Sequence, residues 1–408
     1  MIKYSDLVDY SEKYGNSYYL VDLQKFSDNY DSLLSSFKRF YEKTCIAYSF
    51  KTNYLPAICG IVKQKGGYAE IVSGMELELA RKIGFRDEEI YYNGPCKDKT
   101  EIESLLSNGG HVNIDGEYEI KLVKELASKF PDNVYKVGIR CLGDIQQESP
   151  SRFGLELDNG DFERAIVELK KHNNVIIEGL HLHLPFRNLE SFKERLVCAE
   201  KYILLFEKYN VKLSYFSFGG GYMGHVPSSM KNNFSFDPPS YIDYAEVMAK
   251  EYNTFTQRYN CLSNSEFIIE PGSALVADVV KYVSRVVNIK ASRDRVYATL
   301  DGSTFNINPQ VKGINRPFVI YSDKNHHNIY NNVFFAGYTC IEGDYLITEY
   351  NGIINVGDFV VFENIGSYSL TMKPPFIHYD SAYIESNSGR ELARRQKFAD
   401  IFSRFCFE

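Results

Sequence analysis

The sequence predicts an α/β chain in two parts, a (β/α)8 barrel followed by an all-β domain. Between residues 44 and 275 a short apolar strand, a polar turn and an amphipathic helix alternate repeatedly. Eight strands of this kind can be read, the number that closes a barrel. After residue 276 the texture changes to β-rich segments punctuated by Gly and Asn, with few helical patterns.

The eight strands read as CIAYSF (45–50), YAEIV (68–72), IYYN (90–93), HVNI (111–114), VYKVGIR (134–140), VIIEGLHLHL (175–184), LSYFSF (213–218) and EFIIE (266–270). Helical patterns separate them, such as GMELELARKIG, EYEIKLVKELASKF and SFKERLVCAEKYILLFEKY, with apolar residues every three or four positions. An open doubly wound sheet is the alternative. Eight regular units with no switch point favour the barrel. The expected boundaries are 25–275 for the barrel, with 1–24 and 276–408 forming the β-rich domain. That domain is expected to take a strand from YYLVDL (18–23) and others from VVKYVSRVVNIK, RVYATLDGS, VFFAGYTC, DYLITEYNGIINVGDFVVFEN and YSLTM.

Composition narrows the function. Of 408 residues, 44% are hydrophobic and 24% charged, an ordinary globular mixture. The net charge of -7 argues against a general nucleic-acid binder. No apolar run approaches the roughly 20 residues of a membrane helix, and MIKYSDLVDYSEKYG has no apolar core of signal-peptide length. The eight cysteines are scattered and no pair has C-x-x-C spacing, so neither a metal site nor a disulfide framework is expected. A reduced, cytoplasmic protein is the expectation.

Chemistry in such barrels collects at the C-terminal ends of the strands. Lys51 ends the first, and Ser73 and Gly74 follow the second. Arg140 ends the fifth, and His181 and His183 close the sixth. Gly219, Gly220 and Gly221 follow the seventh, and Glu270, Pro271 and Gly272 end the eighth. Singly, each has a plain structural explanation: a lysine stem covers apolar surface, and a glycine run makes a turn. Together a cation, imidazoles, a carboxylate and a triple glycine converge on one mouth. The glycines are expected to expose consecutive N–H groups at a helix N-terminus, a nest for phosphate. A phosphorylated aromatic cofactor held by a lysine would account for the set, and pyridoxal 5'-phosphate would be that cofactor. The carboxylate would keep the pyridine nitrogen protonated and an imidazole would stack on the ring.

The chain resembles the fold-type III pyridoxal phosphate decarboxylases, which share an alanine racemase-like fold: diaminopimelate, ornithine/arginine and carboxynorspermidine decarboxylases. The resemblance runs through YSFKTN, EIVSGMELELA, SRFG, HLH, FGGGYMG and EPGS in order, and through YTCIEGD and GSYSLTM in the β domain. It implies that Lys51 forms a Schiff base with the cofactor, His183 stacks on its ring and Glu270 meets its pyridine nitrogen. Ser73, Arg140, Gly219 to Gly221, Gly272 and Tyr368 would complete the cofactor site. Cys340 would return a proton and Asp344 would touch the substrate's distal amine, both reaching the site of a second subunit in a homodimer. Arg316, in NRPF, resembles a substrate-loop arginine. The substrate would be an amino acid of diaminopimelate, ornithine/lysine or carboxynorspermidine type.

The chain departs from the family pattern in three places. Ser273 stands where the family's E-P-G motif is usually followed by arginine, and Pro185 and Phe186 replace small residues after the histidines. Ile341 stands where diaminopimelate decarboxylases carry a substrate-contacting acid, which is closer to the carboxynorspermidine branch. An amino acid racemase on the same barrel, or a non-catalytic cofactor-binding relative, are the alternatives to a decarboxylase.

Overall fold

A computed structural model describes residues 2–143, 151–307, 315–323 and 328–407. The chain divides into two compact units, one of Ser27–Gly224 with Phe236–Leu275, the other of Met1–Phe26, His225–Ser235 and Val276–Glu408. It opens with α1 (Tyr4–Tyr14) and β1 (Ser17–Val21), both in the second unit, and continues into α2 (Leu23–Lys38).

The first unit is the barrel. Strands β2 (Thr44–Ser49), β3 (Tyr68–Ile71), β4 (Ile90–Tyr92), β5 (His111–Ile114), β6 (Tyr135–Arg140), β7 (Val175–His181), β8 (Tyr215–Ser217) and β9 (Glu266–Ile269) pair in chain order. Every pair is parallel, and β2 closes onto β9. The strands read as apolar runs because parallel strands covered by helices have both faces buried. The covering helices are α3 (Pro56–Gln64), α4 (Gly74–Ile83), α5 (Lys99–Ser107), α6 (Glu117–Lys129), α7 (Asp161–Leu169), α8 (Leu189–Lys208) and, beyond the short α9 (Ser228–Lys231) of the other unit, α10 (Tyr241–Arg258). The strands end one to three residues before most of the sequence-read limits, which places Lys51, His183 and Glu270 in the loops above them.

The barrel interior is filled by Ala47, Tyr91, Tyr215 and Ile268, with Tyr68 against them. Tyr215 fits because β6 and β7 carry glycine where its ring passes. A Cβ on Gly179 would lie 2.0 Å from Tyr215 Cζ, and one on Gly138 2.2 Å from its hydroxyl.

The second unit is a mixed sheet. Its path is β14 (Tyr345–Ile353), β13 (Ile329–Ala336), β11 (Arg295–Leu300), β10 (Val280–Ser292), β1, β16 (Ala382–Glu385) and β17 (Glu391–Ala393). Off this path β15 (Phe359–Phe362) joins β10 to β12 (Phe318–Tyr321). The N-terminal strand is central, antiparallel to β10 and parallel to β16. Helix α1 buries Leu7, Ser11 and Tyr14 against this sheet, with Tyr4, Val8 and Tyr10 packed beside them. YSLTM forms turns rather than a strand, because Tyr368 takes a positive φ of 64° and Met372 N–H bonds back to Tyr368 O at 3.0 Å.

Candidate active site

Lys51 lies in a single 3-10 turn, Phe50–Thr52, directly after β2. Its Nζ meets Glu70 Oε2 of β3 at 2.5 Å. Ser49 Oγ donates to the same oxygen at 2.6 Å, and Asn93 Nδ2 donates to Glu70 Oε1 at 3.1 Å. Asn93 Nδ2 also donates to Glu270 Oε1 at 3.0 Å, so one amide bridges two buried carboxylates.

Glu270 follows β9 and is 4% exposed. Ser217 Oγ donates to its Oε1 at 2.7 Å, and His181 Nε2 stands 3.3 Å from the carboxylate. Burial pushes its pKa up. The His181 imidazole, the Lys51 cation and the Ser217 hydroxyl outweigh burial, and the carboxyl is held well below its usual range. A buried anion with donors around it is what a cationic ring nitrogen needs opposite it.

His183 is held neutral. Burial is the main cause, and the Arg195, Lys51 and Arg140 cations add to it against an opposing Glu270, so its pKa falls well below the ordinary value. Gly220 N–H donates to His183 Nδ1 at 3.0 Å, which leaves the proton on Nε2. The glycine loop wraps this ring. A Cβ on Gly219 would sit 2.6 Å from His183 Nδ1, and one on Gly220 2.7 Å from Glu270 O. Gly219 and Gly221 have φ of 64° and 102°, which other residues rarely adopt. The sequence reading set these glycines at a helix N-terminus; the structure shows irregular chain from Gly219 to Pro227 before α9. The N–H groups belong to a loop, in which Gly219 donates to Ser217 Oγ at 3.2 Å and Gly220 to His183 Nδ1. Gly272 belongs to the adjacent loop, where an added Cβ would meet Thr52 Oγ1 at 2.0 Å. Ser273 begins the short helix α11 (Ser273–Val276).

Arg140 ends β6 and pairs with Asp115 at 3.1 Å, its guanidinium 4.6 Å from the Phe153 ring centroid. Gly154 N–H donates to the same Asp115 oxygen at 3.1 Å, which ties the SRFG segment to it. Beneath lies a buried ion pair, Lys97 to Glu119 at 2.7 Å, whose other oxygen accepts from Asp115 N–H at 2.6 Å. Ser73 caps α4 by accepting from Glu76 N–H at 3.3 Å. Glu76 is 3% exposed, and burial lifts its pKa to about 7.

In the β unit, Cys340 is exposed on the loop between β13 and β14. Asp344, at the end of that loop, is 5% exposed. Its carboxylate accepts from Ser303 Oγ at 3.1 Å, Thr304 N–H and Oγ1 at 2.9 Å, and Thr339 Oγ1 at 2.6 Å. Ile341 beside it is 46% exposed. Arg316 is half-buried before β12, and desolvation lowers its pKa. Tyr368 sits half-buried in the turn described above.

The structure thus gathers Lys51, Arg140, His183, the glycine loop and Glu270 at the barrel mouth. Sequence reasoning missed Glu70, Asn93, Ser217 and Arg195. Glu70 and Arg195 had a signal, since each is a charge at a position whose neighbours are buried in a strand or helix pattern. Asn93 and Ser217 had none beyond being polar at the end of an apolar run. The residues at the mouth fit pyridoxal phosphate: a lysine amine, a loop only glycine can make, an anion for the ring nitrogen and a neutral imidazole. His181 Nδ1, buried with no partner among the described residues, marks polar capacity that the protein alone leaves unused.

Comparison with known proteins agrees with this reading. The family model "pyridoxal-dependent decarboxylase, pyridoxal binding domain" matches residues 28–277. The chain is 24% identical to diaminopimelate decarboxylase of Methanocaldococcus jannaschii over 423 residues, spanning 98% of this chain and 93% of that one. It is 26% identical to L-glutamyl-[BtrI acyl-carrier protein] decarboxylase of Niallia circulans over 381 residues, 86% of this chain and 85% of that one. The crystal structure of the M. jannaschii diaminopimelate decarboxylase with L-lysine superposes with a TM-score of 0.85 at 22% identity, covering 98% and 95% of the two chains. The chain belongs to the pyridoxal-dependent decarboxylases, and its cofactor is pyridoxal phosphate.

Proposed function

We propose that the protein removes the α-carboxylate of a free or carrier-bound amino acid, with Lys51 as the residue that holds the cofactor. The observation that carries this is Glu270, a buried carboxylate kept anionic beside Lys51 and above a barrel of hydrogen-bonded amides. Bound pyridoxal phosphate supplies an aldehyde for amines and an electron-withdrawing ring. Glu270 would hold a proton on that ring's nitrogen, which suits loss of a carboxylate better than racemisation. Lys51 Nζ is within reach of Glu70, which takes its proton or returns it as the amine is released and recaptured. Neutral His183 offers its ring face without adding a charge that would compete with Glu270.

We assign Cys340, exposed on its loop, as the proton donor to the site of a second copy in a homodimer. Asp344 already holds Ser303, Thr304 and Thr339, so its part is to shape the Cys340 loop; an amine contact would share a carboxylate with those donors. The substrates named for the relatives, diaminopimelate and an acyl-carrier-bound glutamyl group, set the first panel to try, with lysine, ornithine and carboxynorspermidine beside them. A cytoplasmic setting agrees with the free cysteines, and among the described residues no helix is long and apolar enough to cross a membrane.

The test is carbon dioxide release from that panel by wild type and Lys51→Ala. Wild type turns over at least one substrate. The variant shows no turnover and no cofactor fixed to the chain after borohydride treatment. Borohydride-fixed cofactor on the variant would place the attachment on another residue.

A further inference from the structure

Arg195 lies on the inner face of α8 and is wholly buried. Its side-chain hydrogen bonds among the described residues all go to backbone carbonyls. Nη1 donates to Phe218 O at 3.2 Å and Gly220 O at 2.8 Å; Nη2 donates to Leu184 O at 2.7 Å and Phe186 O at 2.8 Å. Nε has no partner among the described residues, and the guanidinium lies 3.9 Å from the Phe192 ring centroid. No carboxylate among the described residues pairs with it. Burial lowers its pKa to about 10, which still leaves a cation at neutral pH.

A buried cation without an anion is costly, and the position of this one says what it serves. It clasps two loops together, the one after β7 that carries His183 and the one after β8 that holds Gly219 to Gly221. It backs directly onto the glycines, since a Cβ on Gly221 would lie 3.0 Å from Nη2. Two of the four carbonyls it grips belong to the peptides whose N–H groups are those of Gly219, which donates to Ser217 Oγ at 3.2 Å, and Gly221. A charged donor on a carbonyl polarises its peptide and strengthens that N–H as a donor. The same charge is the foremost of the cations that keep His183 neutral.

We propose that Arg195 is the buried counter-charge of the cofactor's phosphate, acting through the Gly219–Gly221 loop that it clamps from behind. It is a positioning residue that contributes positive potential and a fixed loop, while the Gly221 amide makes the contact. This rests on the reading of Gly219 to Gly221 as the phosphate cradle.

The test uses the full-length protein freed of cofactor, with equilibrium binding of pyridoxal 5'-phosphate and of pyridoxal, and inorganic phosphate as competitor. In wild type, inorganic phosphate displaces pyridoxal 5'-phosphate but not pyridoxal. Failure of that arm overturns the cradle reading, and the role of Arg195 with it. Arg195→Met removes the charge at similar volume and weakens pyridoxal 5'-phosphate roughly 30-fold, leaving pyridoxal within about threefold. Arg195→Lys, which keeps the charge, restores most of the preference for the phosphorylated ligand. Equal weakening of both ligands in Arg195→Met would show a purely structural clamp, and unchanged affinity would show no role; either overturns the proposal. If Arg195→Met does not fold, Arg195→Lys decides alone. Sustained competition by inorganic phosphate supports the counter-charge, and its loss despite the retained cation overturns it.

Discussion

Glu270→Gln separates the charge of the mouth from its shape. The amide has the volume of the carboxylate, so packing is preserved. Its oxygen can keep the Oε1 place, accepting from Ser217 at 2.7 Å and Asn93 at 3.0 Å. Its NH2 then faces His181 Nε2, which stood 3.3 Å from the carboxylate. The imidazole can accept that bond by moving its proton to Nδ1, the nitrogen with no partner among the described residues. Folding therefore loses only about 1 kcal/mol, the net worth of one readjusted hydrogen bond. The charge is another matter. A unit charge pair about 4 Å apart, at an effective dielectric of about 20, is worth roughly 4 kcal/mol, and a neutral amide would forgo that attraction toward a cationic ring. If that attraction acts in the rate-limiting step, turnover falls about 1,000-fold. Carbon dioxide release gives the rate and urea unfolding gives the stability. Turnover within about tenfold of wild type, in a variant that folds and binds cofactor, would refute the role given to Glu270.

Four further outcomes rest on the same geometry. Lys97→Met should cost about 3–5 kcal/mol in urea unfolding, because it strands the buried Glu119, whereas Lys97→Met with Glu119→Leu should cost much less; equal losses would mean that the charges are not coupled. The raised pKa of Glu76, about 7 when folded, means that the folded state binds a proton the unfolded state releases near pH 4.5. Its stabilising effect is therefore complete below about pH 4.5 and is lost as pH rises through 7, by about 3 kcal/mol relative to Glu76→Gln; parallel unfolding curves for the two proteins from pH 5 to 8 would refute it. Ser217→Ala should lower turnover without loss of bound cofactor, because Glu270 keeps Asn93 and His181 but loses one donor to its Oε1; unchanged turnover would count against that. Mixing inactive Lys51→Ala with inactive Cys340→Ala and letting subunits exchange should restore about a quarter of wild-type activity if sites are shared between copies, and none if each chain completes its own site.

The legibility of the sequence depends on where its signals live. Strand and helix periods come from burial, and the barrel strands and helices stand close to where those periods set them. The ends of apolar strands are equally visible, so Lys51, Arg140, His183 and Glu270 could be found by locating the polar residue that closes each strand. The method is blind to polar groups inside the barrel. Asn113 and Tyr215 read as ordinary members of apolar strands, and Arg195 as a charge on a helix that has many. Its only signal is that it shares the helical face of Phe192, Leu196 and Ala199, which turns it inward. The turn at Tyr368 was misread for the opposite reason: YSLTM has the composition of a strand, but a positive φ at its first residue ends any ladder.

The interior left unread also governs the mouth. Branched aliphatic residues usually fill such barrels in layers, yet here Tyr215 enters over Gly138 and Gly179 and brings a hydroxyl into the centre. That hydroxyl donates to Asn113 Oδ1 at 2.7 Å. Asn113 is then left to donate through Nδ2, which it does to Asn93 Oδ1 at 2.7 Å. Asn93 in turn can only present its NH2 upward, to Glu270 at 3.0 Å and Glu70 at 3.1 Å. Reversing either amide would set oxygen against oxygen at the next link, a buried mismatch that the low dielectric makes costly. The two carboxylates, which only accept, therefore fix the sense of the whole relay, and the phenol in β8, able to donate or accept, completes it. Its last link gives both carboxylates a donor, so that Glu70 and Glu270 can stand close together in a buried mouth, one within reach of Lys51 and the other where we propose that the cofactor ring's nitrogen binds.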